Sequence, residues 1–136
     1  MAVLATLTYG LEISSKDMEI LKECRTKNNI SLGDLLKGAE KQEIPTTENG
    51  KCFLQCVMEK AGVIKDDKIN VDRAKAINAK KLKDKPDFKD KADKIADLCS
   101  KEVTKPDGKC EFAVKISECA MKHAKEMGVP QLKFGV

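Results

Sequence analysis

The chain has 136 residues, a formal net charge of +4 with Lys interspersed among Asp and Glu throughout, and 4% aromatic residues without a Trp. That length suits a single domain, residues 1–136, with an aliphatic core, and a weakly basic, evenly mixed surface poor in stacking rings excludes a nucleic-acid interface. Six cysteines without a Cys-x-x-Cys knuckle, beside one His, exclude a zinc module and point to three disulfides, hence to a compartment outside the reducing cytosol.

Residues 1–10 open on the apolar run Met1-Ala2-Val3-Leu4-Ala5-Thr6-Leu7, which lacks a positive n-region and reads as a signal remnant or a flexible N-terminus. Ser14 or Ser15 caps a first helix to about Asn28, with Met18, Leu21 and Cys24 on its inner face. Ser31 opens a second through Leu32, Leu35, Leu36 and Ala39, and Ile44-Pro45 stops it. A third runs from about Asn49 to Ala61 with Gly62 as its stop. Asn70 caps a fourth, whose short apolar stripe is Val71, Ala74 and Ile77, and Lys83-Asp84-Lys85-Pro86 breaks it.

The fifth helix, about Asp87 to Val103, spaces Phe88, Ala92, Ile95, Cys99 and Val103 at helical intervals. The sixth, Asp107 to Met127, is apolar over roughly 200° of its circumference and so packs against several neighbours at once, which makes it the centre of the fold. The tail, residues 128–136, is too apolar for a free end and is expected to fold back. No stretch alternates with period 2, and no run approaches the ~18 apolar residues of a membrane span. The expected class is all-α: about six helices stapled by three disulfides.

Helical geometry limits the staples. Cys110 and Cys119, nine positions apart on one helix, project from opposite sides ~13.5 Å apart along the axis and cannot bond to each other. Cys52 and Cys56, four apart, share a face and are poorly placed to pair. Of the fifteen pairings of six cysteines, ten contain neither of these, and the residues alone do not choose among the ten.

The gaps between successive cysteines, 27 residues from Cys24 to Cys52, then three to Cys56, 42 to Cys99, ten to Cys110 and eight to Cys119, resemble the pattern of insect odorant-binding proteins of the pheromone- and general-odorant-binding type. The three- and eight-residue gaps are that family's most specific marks; the 42-residue gap is at its long side. The resemblance implies the pairs Cys24–Cys56, Cys52–Cys110 and Cys99–Cys119. It also implies an internal apolar cavity that carries small hydrophobic molecules, with no cofactor and no metal, in a secreted, extracellular protein. Its partners would be that ligand and a membrane odorant receptor, and it would be a monomer or a weak homodimer.

By residue type the cavity walls are Val71, Ala74, Ile77, Phe88, Ala92, Ile95, Val114, Ala120 and Met121, with Met58 from the third helix. Alanines leave room and Met adapts to ligand shape. Ser117 is placed to offer a hydrogen bond to a ligand, or else to its own helix backbone, and Leu132 and Phe134 are placed to act as a lid. His123, at the edge of the apolar arc and expected to be partly exposed, raises a pH-dependent release of ligand. An enzymatic reading fails because the single His has no catalytic partner, His123 being followed by Ala124 rather than Asp, and Asp66-Asp67 lacks the spaced oxygens of a calcium loop. The remaining alternative is a membrane-active protein of the saposin sort, or a carrier of lipids or hormones outside olfaction.

Overall fold

The computed structural model describes residues 15–34 and 44–128. Helix α1 (Ser15–Lys27) is followed by a short helical stretch at 32–34, where Asp34 N donates to Ser31 Oγ. The rest of the second expected helix lies outside the described residues. Helix α2 (Glu48–Ala61) starts where Gly50 N donates to the Thr47 side chain and ends at Gly62, whose φ of 85° closes the last turn through Met58 O and Glu59 O. Helix α3 (Val71–Lys81) begins at Asn70, whose side chain accepts from Arg73 N. Pro86 opens α4 (Pro86–Glu102), where its missing N–H leaves no helical bond unmade. Helix α5 (Glu111–Glu126) is the last described element.

Three local expectations need correction. Between Ala61 and Val71 the chain forms a small antiparallel hairpin, β1 (Ile64–Lys65) and β2 (Lys68–Ile69), with Ile64 opposite Ile69 and Lys65 opposite Lys68. Asp66 and Asp67, at φ 53° and 62°, form the mirror-image turn that suits the twist of a two-residue hairpin loop. With two residues per strand, the hairpin leaves the fold all-α.

The central helix starts at Glu111 and not at Asp107. Cys110 precedes it at φ 62°, so Cys110 and Cys119 are not two faces of one helix. Tertiary ties from α2 hold that bend, and they are described below. Finally, Met18 is 56% exposed, and the inner face of α1 is carried by Ile20 and Cys24, because the helix is rotated so that Cys24 meets α2.

The helices pack α1 on α2, α2 on α5, α5 on α4 and α4 on α3. The described core consists of three apolar clusters rather than one. Leu54, Met58, Ile77, Phe112 and Ile116 lie at the centre of the first; Ile20, Cys24, Phe53 and Val57 make the second; Ile95, Cys99, Ala120 and Ala124 make the third. The first and third share only the partly buried Ile69 and Val103. No helix among the described residues is long and apolar enough to cross a membrane.

Candidate ligand-binding site

The frame around the interior is covalent. Cys24 of α1 is bonded to Cys56 of α2, Cys52 of α2 to Cys110 ahead of α5, and Cys99 of α4 to Cys119 of α5, with Cα–Cα distances of 5.6, 4.8 and 5.9 Å. The start of α5 is also held by two neighbours of Cys52 on the same face of α2. Gln55 Oε1 accepts from Ala113 N at 3.0 Å, supplying the cap that Cys110 does not, and Lys51 Nζ meets Glu111 Oε1 at 2.9 Å. These ties keep Cys110 in its left-handed conformation, which is unfavourable for any residue with a Cβ.

The expected wall residues divide by burial. Met58, Ile77, Ile95, Val114, Ser117 and Ala120 are buried, with Met58 and Ile77 in the first cluster and Ile95 and Ala120 in the third. Val71, Ala74, Phe88, Ala92 and Met121 are half-buried; Met121 packs against the first cluster and Phe88 against the third. Phe88 also lies 5.9 Å from Lys85 Nζ. Ser117 is fully buried and is not without a partner. Leu132 and Phe134 lie outside the described residues. The structure therefore brings Met58 and Ile77 to one side of α5, with Phe112 and Ile116, and Ile95 to the side that carries Ala120.

With this frame in view, the sequence matches the profile of the PBP/GOBP family over residues 9–123. The chain belongs to the PBP/GOBP family. Two solved odorant-binding proteins share its fold. Odorant-binding protein dmelOBP28a from Drosophila melanogaster is 26% identical with a TM-score of 0.69, over 85% of this chain and 95% of that one. The fatty acid binding protein OBP56a from the oral disk of the blowfly Phormia regina is 24% identical with a TM-score of 0.57, over 85% of this chain and 98% of that one. No curated protein sequence matches the chain. Family and fold are those of small-ligand carriers, not of enzymes.

Within this PBP/GOBP frame His123 departs from expectation: it is 8% exposed, covered by the C-terminal turn of α4. Its Nε2 faces Glu102 Oε2 at the end of α4, and its Nδ1 faces Glu126 Oε2 at 3.2 Å. Both ring nitrogens thus face carboxylate oxygens, and the contact to Glu102 ties the last turns of α5 to the end of α4. The nearby sulfurs of Cys99 and Cys119 are joined to each other, which removes them as thiolate ligands for a metal. A cleft of about 450 Å³ beside this cluster is lined by Glu102, Glu118, Lys115 and Lys122 among others; it is an outer surface of mixed charge, unlike the apolar interior that a carrier requires.

Sequence reasoning missed Gln55 and Asn78. Asn78, buried on α3, donates through Nδ2 to Asp93 Oδ1 at 3.1 Å, and Asp93 Oδ2 accepts from Lys89 at 2.7 Å, which ties α3 to α4. An amide in the apolar stripe two turns after the Asn70 cap was the available signal.

Proposed function

We propose that this PBP/GOBP member is a secreted carrier of small hydrophobic molecules, odorants or pheromones in sensory tissue and other apolar signals elsewhere. It would hold them in an interior walled by Met58, Ile77, Ile95, Val114 and Ala120, with Leu132 and Phe134 of the tail as a lid. The observation that carries this reading is the half-buried state of Phe88, Ala92 and Met121 on α4 and α5, which the Cys99–Cys119 disulfide holds together, and of Val71 and Ala74 on α3, which packs on α4. Apolar side chains on a filled core interface are buried outright; partial exposure along the stripes suits walls that wait for a ligand. An empty apolar interior costs about 24 cal/mol per Å³, and three cross-links worth about 3 to 4 kcal/mol each make that cost tolerable.

The test is displacement of a fluorescent hydrophobic probe from the oxidised protein by alcohols, esters, aldehydes and fatty acids. Competition confined to ligands of one size and shape is the expected result. Absence of probe uptake would mean a filled interior and an end to the carrier reading.

A further inference from the structure

A second cleft, of about 100 Å³, lies between α1, the C-terminal end of α2 and one side of α3. Its charged lining is Lys16 and Asp17 from α1, Lys60 from α2, and Arg73, Lys80 and Lys81 from α3. Five cations and one carboxylate line it.

The single carboxylate is committed. Asp17 Oδ2 meets Lys81 Nζ at 2.5 Å, with both side chains nearly buried. Lys60 reaches outward to Glu23 at 3.0 Å. Arg73 donates from Nε to Ala61 O at 2.9 Å, which fixes its guanidinium at the rim. Lys16, Lys80 and the terminal nitrogens of Arg73 have no acidic partner among the described residues. A cleft lined by one sign of charge concentrates the opposite ion, and guanidinium and ammonium donors form their strongest hydrogen bonds with carboxylate-type acceptors.

The rest of the lining is apolar: Ile20, Ala61, Ala76 and Ile77. Ala61 and Ile77 belong to the same cluster as Met58 and Phe112, so the floor of this basic cleft is the outer side of the first core cluster. A volume of about 100 Å³ holds roughly three water molecules, enough for a carboxylate and too little for a complete ligand. Charged rim, apolar floor and small volume together describe a head-group seat.

We infer that the ligand is an anionic amphiphile, a long-chain carboxylate, whose head is held by Lys16, Arg73 and Lys80 and whose chain passes over Ala61 and Ile77 into the interior. This assignment rests on the carrier reading and adds the chemical class of the cargo. It makes the protein prefer a fatty acid to the alcohol of equal chain length, the reverse of the preference that an apolar cavity alone would give.

The test compares those two ligands in probe displacement on the wild-type protein and on the double variant Lys16→Gln/Lys80→Gln. Both lysines are exposed and without an acidic partner among the described residues, so the variant should fold, and retained binding of the alcohol is its internal control. The wild type should prefer the acid, and the variant should lose about three- to tenfold in affinity for the acid while the alcohol stays within about twofold. Raising the ionic strength should erode the same preference. Equal binding of acid and alcohol, or an acid preference that survives in the variant, overturns the assignment and leaves the carrier reading intact. Failure of the probe and both ligands to bind overturns the carrier reading itself. Binding of the protein to anionic vesicles through these lysines, without preference for the free acid, would give the cleft to a membrane surface and also overturn it.

Discussion

The Asp17–Lys81 pair should respond asymmetrically to the loss of either partner. The two side chains are 13% and 9% exposed and join α1 to α3 across 64 positions of sequence. Removing one partner of a well-buried pair costs about 3 to 5 kcal/mol, because the other charge is left without compensation. The surroundings decide which loss is worse. In Asp17→Asn the Lys81 ammonium remains in a cleft lined by Lys16, Lys60, Arg73 and Lys80, and each of these four cations repels it. In Lys81→Met the Asp17 carboxylate remains among those same cations, which take over part of the lost attraction. We expect a cost of about 3 kcal/mol for Asp17→Asn and about 1 kcal/mol for Lys81→Met, the first figure at the low end because the cleft admits water. Urea denaturation with the disulfides intact measures both. In a thermal melt the larger loss corresponds to roughly 6 to 12 °C. Added salt should narrow the gap by screening the residual cations. Equal costs, or a larger one for Lys81→Met, would refute the reasoning that these cations act as one field on the cleft.

Four further outcomes follow from single contacts. Gly62→Ala should cost about 1 to 2 kcal/mol in denaturation, since φ is 85° and a Cβ would stand 3.1 Å from Arg73 Cγ. Gln55→Ala should cost about 1 kcal/mol by uncapping α5, and hydrogen exchange should quicken at the Ala113 amide specifically. His123→Ala should cost about 1 kcal/mol in urea denaturation by cutting the tie from α5 to Glu102, whose side chain is 44% exposed. Lys89, half-buried, has its pKa raised above the ordinary 10.5, chiefly by its hydrogen bond to Asp93. A folded value above the unfolded one stabilises below the unfolded pKa and is lost as pH rises through the folded value. The Lys89 contribution should therefore be present at neutral pH and fade only in strong alkali, with wild type and Lys89→Met converging there.

Much of the fold was legible because its signals are local. The Asn70 cap, the Gly62 stop and Pro86 at a helix start act within one helical turn, and the sequence carries them whole. The features that escaped are set from a distance. A hairpin of two residues per strand is too short for period-2 alternation to register, and Asp66-Asp67 supplies its turn without the Gly that marks such loops most clearly. The delayed start of α5 depends on Cys52, Lys51 and Gln55, more than 55 positions away, which hold Cys110 where an isolated peptide would continue the helix.

The same division runs through the site. Apolar stripes identify inward faces, and Met58, Ile77, Ile95, Val114 and Ala120 are inward. A stripe does not distinguish a residue packed on a neighbour from one facing a space, because both have the same pattern in one dimension. Charge is less legible still. Read along the chain, Lys16, Lys60, Arg73, Lys80 and Lys81 are five ordinary surface cations, each with acidic residues nearby in sequence, and the average looks balanced. Folding sorts them: α1, the end of α2 and α3 bring these five to one cleft, whose described lining has Asp17 as its single carboxylate. Ligand chemistry in a carrier with few aromatic and hydroxyl groups thus depends on which charges the helices bring together, and selectivity for an acid over an alcohol would arise from packing geometry that no short motif encodes.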